Sequence, residues 1–183
     1  MKLRVIVLVV ACLITSTCDS QPVRSHQITS IIPGTLSRAQ LEALCKVDLS
    51  EIERVKNTTP GEVNKFYFNG ELYSGWACSN NMDDKHKYRY SEYIDGIMVR
   101  QIGYFDNGQV DHDFRMNKGR SVGQQRMWMR DGHLYVDNNY NEFGEMHGPQ
   151  LRWYKNHQLA RDGYYENGKM IYDIEYDQSG SVK

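Results

Sequence analysis

At 183 residues and 21.3 kDa the chain has room for one domain and a leader, not for several domains. Its formal charge of -1, which becomes -2 once Lys2, Arg4 and Asp19 leave with a leader, offers no electrostatic basis for binding nucleic acid. Apolar and charged shares of 40% and 25% are ordinary for a globular protein, but 13 tyrosines carry much of the apolar share and favour a sheet with half-wet faces.

The chain opens MKLRVIVLVVACLITSTC, with a short basic start, an apolar run from Val5 to Ile14, then small residues. Ten apolar residues cannot cross a hydrocarbon core of about 30 Å, so residues 1–20 read as a signal peptide. Signal peptidase would cut near Thr17 or Ser20. The other exit is lipidation of Cys18, which would leave a membrane tether, although a lipoprotein motif carries Leu where Thr15 stands. Export takes the chain through an oxidising space in which thiols pair. Cys12 leaves with the leader and Cys18 is lipidated or close to the cut, so Cys45 and Cys78 are expected to bond to each other. The competing arrangement keeps Cys45 as a buried thiol and pairs Cys78 with Cys18.

Residues 21–34 have no clear period and read as a linker. In residues 35–60, Ser37-Arg-Ala-Gln40 and Asp48-Leu-Ser-Glu51 each place a capping residue three before Gln or Glu, with apolar residues following at helical spacing. Two short helices are expected, ending before Pro60-Gly61.

Residues 61–183 read as a β-domain. From Lys65 onward, turn-like glycines stand at 70, 96, 108, 119, 132, 144, 168 and 180, and His157 occupies a place where another is due. From Gly96 the steps are 11 to 13 residues, the spacing of sequential antiparallel strands. GYFDNGQV (Gly103 to Val110) and GYYENGKM (Gly163 to Met170) are the clearest pair, and Asn-Gly favours a two-residue hairpin turn because both residues tolerate positive φ. Such turns are expected at Asn107-Gly108 and Asn167-Gly168. The second would set Glu166 opposite Lys169, Tyr165 opposite Met170 and Gly163 opposite Tyr172, with an aromatic ring over the bare glycine. Met170, Tyr172, Ile174 and Tyr176 would then share one face. A stricter repeat runs through Gly119, Gly123, Gln125, Trp128 and Leu134, and again 25 residues later through Gly144, Gly148, Gln150, Trp153 and Leu159. Units of this kind gain stability by stacking on their neighbours.

In glycines, aromatics and period, residues 65–180 resemble the variant MORN repeat, and more narrowly the YwqK-type antitoxin components of toxin–antitoxin systems. The resemblance implies a mainly β fold, an extended antiparallel β-meander of MORN-like hairpin repeats, here preceded by the two short helices. It also implies a binding role.

Gly119-Arg-Ser-Val-Gly123 spells the G-x-S-x-G of a hydrolase nucleophile elbow, but an elbow needs a helix after it, and a strand-like repeat follows Ser121. Asp111-His112-Asp113 alternates faces, so the imidazole does not share a side with the carboxylates, and the three read as solvated strand residues. Asp83, Asp84 and His86 lie in an irregular insertion and are weak as a cation site. Lys85-His86-Lys87-Tyr88-Arg89-Tyr90 mixes basic and aromatic residues as single-strand binders do, yet it also fits an edge strand guarded by charge. Asn57-Thr58-Thr59 is a formal glycosylation sequon. No catalytic residue, metal or cofactor is expected.

The repeat aromatics Tyr104, Trp128, Trp153 and Tyr164 read first as strand-to-strand packing. Two short helices cannot cover a whole sheet, however, and exposed rings mark binding surfaces. Tyr104, Tyr164, Tyr165 and Tyr172 are the partner-binding candidates. The expectation is a non-enzymatic exported scaffold for a protein partner, with an antitoxin or immunity role as the family-level implication. The alternative is a structural cell-envelope protein whose sheet contacts lipid headgroups or glycan.

Overall fold

Ser37 and Asp48 each begin a helical turn, and the residues that follow decide how far it runs. The structure, a computed structural model, describes residues 36–57, 59, 62–79 and 87–183. The proposed signal peptide, the linker, Cys18, Thr58 and the group Asp83, Asp84 and His86 lie outside the described residues. Ser37 Oγ accepts the Gln40 N–H, and the Gln40 side chain accepts the Ser37 N–H at 2.8 Å, opening helix α1 over Arg38–Leu44. Asp48 closes the same box with Glu51, yet only a single 3-10 turn, Leu49–Glu51, follows. One helix therefore forms where two were expected. A lone turn gains too few hydrogen bonds to repay its nucleation, and the flanking residues find strand partners instead.

Those flanking residues form β1 (Cys45–Asp48) and β2 (Glu53–Val55). Strands β3 (Lys65–Phe68) and β4 (Glu71–Leu72) join β2 in a small sheet ordered β2-β3-β4. A large sheet begins where β1 lies parallel to β5 (Gly75–Ser79). It continues through β6 (Lys87–Ile94), β7 (Ile97–Phe105) and β8 (Val110–Asn117), from which β9 (Arg120–Ser121) forms a short spur. Strands β10 (Gly123–Trp128), β11 (Leu134–Tyr140), β12 (Met146–Trp153), β13 (Leu159–Glu166) and β14 (Lys169–Glu175) complete it, each antiparallel to the one before in the sheet. The fold is mainly β. Cys45 and Cys78 are bonded, their Cα atoms 6.0 Å apart, which ties the helical turn to the first central strand and is the chemistry of an oxidising compartment. Among the described residues no helix is long and apolar enough to cross a membrane.

Both layers of core sit at the N-terminal end of the large sheet. On one face Leu41 of α1 packs on Cys78, Tyr90, Ile102 and Tyr104. On the other, Val47, Ala77 and Tyr93 meet Phe66 and Phe68 of the small sheet, with the rings of Phe66 and Tyr93 4.9 Å apart. Beyond Tyr104, Ala160 is the only buried apolar residue among those described.

Tyr104 is 3% exposed and its hydroxyl donates to the Leu36 carbonyl, so it is a core residue and offers a partner nothing. Burial pushes its phenol up to about 12, and burial also raises Tyr90 and Tyr93. A folded pKa above the unfolded one means stability that is whole below about pH 10 and lost as the pH climbs through about 12. Urea titrations should show a fall of at most about 2–3 kcal/mol across that window, and Tyr104→Phe should shrink it. A wild-type stability that stays level to pH 12 would refute this assignment.

The two Asn-Gly phrases fold differently. Asn167 and Gly168 both take positive φ (47° and 77°), giving the expected two-residue turn with Glu166 opposite Lys169. At the other phrase the loop has three residues, Asp106-Asn107-Gly108, closed by Gly108 N–H to Phe105 O at 3.0 Å and Phe105 N–H to Gln109 O at 2.8 Å. Only Gly108 is left-handed there, because Asn107 spends its side chain on the Gln109 N–H (3.2 Å) and the Arg130 carbonyl (2.7 Å) of the neighbouring loop. A bulge at Ile171 also corrects the expected register. Tyr172 faces Tyr164, their rings stacked 6.1 Å apart, and Asp173 faces Gly163.

Candidate functional site

From β10 onward, each strand's substantial packing is with the strands beside it, and no described element lies over either face. The sheet there is one layer thick and is held by polar ladders. Gln125 Nε2 donates to the carbonyls of Arg115 (2.6 Å) and Val122 (2.8 Å), and Gln150 Nε2 donates to that of Asn139 (2.6 Å). Arg161 pairs with Asp173 at 2.7 Å, and the guanidinium holds that carboxyl below its ordinary range.

Strand β14 ends this layer. Its C-terminal end is capped by the chain turning back, with Tyr176 bridged to Val182 and the Lys183 N–H on the Glu175 carbonyl at 3.0 Å. Residues 169–174 have no strand beside them on the outer edge among the described residues. Met170, Ile171 and Tyr172 are 56%, 51% and 43% exposed, consecutive because both faces of β14 are open to solvent. Tyr164 and Tyr165 are half-buried behind them in β13. Tyr172 donates to Asp162 at 3.2 Å, and Tyr165 touches both Arg161 and Asp173. The structure thus gathers Tyr164, Tyr165 and Tyr172 at one edge and places Tyr104 in the core.

Other sequence candidates fall elsewhere. Ser121 sits in the two-residue β9 behind a hairpin turn, and strand β10 follows where an elbow requires a helix. Asp111, His112 and Asp113 are buried, not solvated. A bulge between Tyr104 and Gly103 brings Asp111 onto His112 (Oδ2 to Nδ1 2.7 Å), and Asp113 takes a two-point ion pair from Arg100 at 2.8 and 2.9 Å. Residues 87–90 belong to β6, which runs between β5 and β7 and is no edge. Their alternation serves the two faces, with Tyr90 under α1, Tyr88 beneath the Arg38 guanidinium (3.8 Å), and Arg89 exposed.

A further group is one the sequence reading passed over. Loops 106–108, 130–132, 155–157 and 178–180 line one end of the sheet, each with its third residue left-handed. Three of those residues are glycine. The fourth is His157, at φ 64°. Its ring stacks on His133 at 3.4 Å and 13°, and its Nε2 lies 2.9 Å from Asp131 Oδ2. Asp131 Oδ1 accepts the His133 N–H at 3.0 Å and lies 3.3 Å from His133 Nδ1. That backbone N–H, then the His157 ring, hold the Asp131 carboxyl at about 2. The signal was present in the 25-residue repeat, which sets equivalent loops side by side, so histidines at 133 and 157 become neighbours.

No family model matches the chain, and no curated protein matches it. A solved structure titled "Crystal Structure of TarM" is similar over 66% of this chain and 22% of its own, at 14% identity and a TM-score of 0.30. The chain spans about a fifth of that protein's length, and likeness at this level carries no argument.

Proposed function

We propose that the protein is a non-enzymatic exported scaffold that binds a protein partner along β14. The observation that carries this reading is the unpaired outer edge of residues 169–174 beside three consecutive exposed apolar side chains. An open edge supplies main-chain donors and acceptors, and the side chains supply contact area, which together are the requirements of strand addition. The one-layer sheet and its regularly spaced loops support the MORN-like meander of hairpin repeats, and with it an antitoxin or immunity partner. The disulfide supports export, to the periplasm or outer envelope, with Cys18 either lipidated or lost at the leader cut.

Capture from an envelope extract with cross-linking tests this. The wild type should retain one stoichiometric protein. The double variant Met170→Lys/Ile171→Lys, at two exposed positions, should melt as the wild type does and weaken retention about tenfold or more. Retention unchanged in the variant, or recovery of lipid or glycan without a protein, would sink the reading.

A further inference from the structure

The loop cluster at the opposite end from the β13–β14 turn has a chemistry that strand addition does not use. Residue three of each three-residue loop must be left-handed, a conformation that costs a non-glycine residue about 1–2 kcal/mol. Gly108, Gly132 and Gly180 meet that need, whereas loop 155–157 meets it with an imidazole. The side chain so placed does not drift into solvent. It lies flat on His133 and points Nε2 at Asp131. Arg130, the cation of the same loop, turns away to pair with Asp106 and to lie over the Phe105 ring at 5.6 Å.

One donor atom from each of Asp131, His133 and His157 falls within 4.8 Å of the other two. His133 Nδ1, on a side chain that is 40% exposed, lies 3.3 Å from Asp131 Oδ1 without the alignment of a full hydrogen bond. Two ring nitrogens converging on one carboxylate form an arrangement that a metal ion can occupy. A tetrahedral ion with bonds of about 2.0–2.1 Å keeps its donors about 3.3 Å apart, close to the 2.9 and 3.3 Å between Asp131 and the two rings, and the stacked rings would turn apart at these exposed positions to bring both in-plane lone pairs onto it. Two imidazoles and one carboxylate suit a borderline ion such as zinc or copper. Magnesium and calcium require oxygen donors that the cluster lacks.

We propose that Asp131, His133 and His157 form a surface site for a divalent transition metal of the zinc class, with three protein ligands and an outward position left for water or a partner's side chain. The ion would join loops 130–132 and 155–157 and so clip two neighbouring hairpins at their tips.

The test uses the untagged, oxidised full chain freed of metal. Calorimetric titration with zinc chloride should show one equivalent bound, magnesium and calcium should give no heat, and cobalt substitution should develop the visible absorption of a tetrahedral site. Zinc should also raise the melting temperature. Two variants keep the loops intact. His157→Gly supplies the residue that the equivalent loops use, and Asp131→Asn matches Asn107 and Asn156, which accept the same loop N–H. Each should melt close to the wild type without metal, weaken zinc binding at least about tenfold, and lose the zinc-induced shift. Failure of the wild type to bind zinc, or binding unchanged in both variants, overturns the site.

Discussion

Replacing Cys45 and Cys78 by alanine should cost about 3–4 kcal/mol of stability in urea. The bond closes a loop of 33 residues, and on the chain-entropy account that constraint on the unfolded chain is worth this much. The native side concentrates the loss in one place. Helix α1 has seven residues and a single buried one, Leu41, so it cannot persist by itself. Among the described residues strand β1 has only β5 to pair with. Without the bond, amide exchange should rise first in α1 and β1 while β10 to β14 keep their protection. A double variant as stable as the oxidised wild type, with α1 still protected, would show that packing alone holds this layer.

Gly103→Ala should be the most damaging single-methyl change in the sheet, lowering stability by about 2–3 kcal/mol and the melting temperature by about 5–10 °C. A Cβ there would lie 2.4 Å from His112 Cε1 and 2.6 Å from Nδ1. That ring has nowhere to withdraw, since it is buried, stacked on Phe114 at 4.7 Å and bonded to Asp111. Adding His112→Ala should recover part of the loss, a non-additivity that a mere propensity effect would not produce. The matching glycine of the other phrase makes a control. At Gly163 the added Cβ would meet Asp173 Oδ1 and Tyr165 Cε2 at 3.3 Å, where a shift of a few tenths of an ångström suffices, so Gly163→Ala should cost less. Equal losses at the two glycines would refute the steric account.

The contrast between those glycines marks how far the chain's text can be read. Some features that depend on neighbours in sequence were legible, although the Asn107-Gly108 turn and the second helix were not. The capping boxes at Ser37 and Asp48 both form, and Asn167-Gly168 makes its two-residue turn, because each rests on hydrogen bonds or dihedral preferences spanning a few residues. The Cys45–Cys78 pairing was legible too, since the expected export and loss of Cys12 left few choices. The candidate tyrosines were legible only as a group, because strand alternation says which residues share a face and not which face α1 will cover.

What tertiary structure decided was everything that depends on two distant segments meeting. β1 lies parallel to β5 because the disulfide and the buried Leu41 and Val47 hold residues 41–48 against the sheet, and this cut the second helix to one turn. Bulges at Asp111 and Ile171 moved His112 onto Asp111 and Tyr172 onto Tyr164, since one extra residue shifts the register of those that follow. His157 was legible as a missing glycine. That it stands in the glycine's own conformation, stacked on His133 and facing Asp131, follows only once two strands per unit bring loops about 25 residues apart to the same end of the sheet.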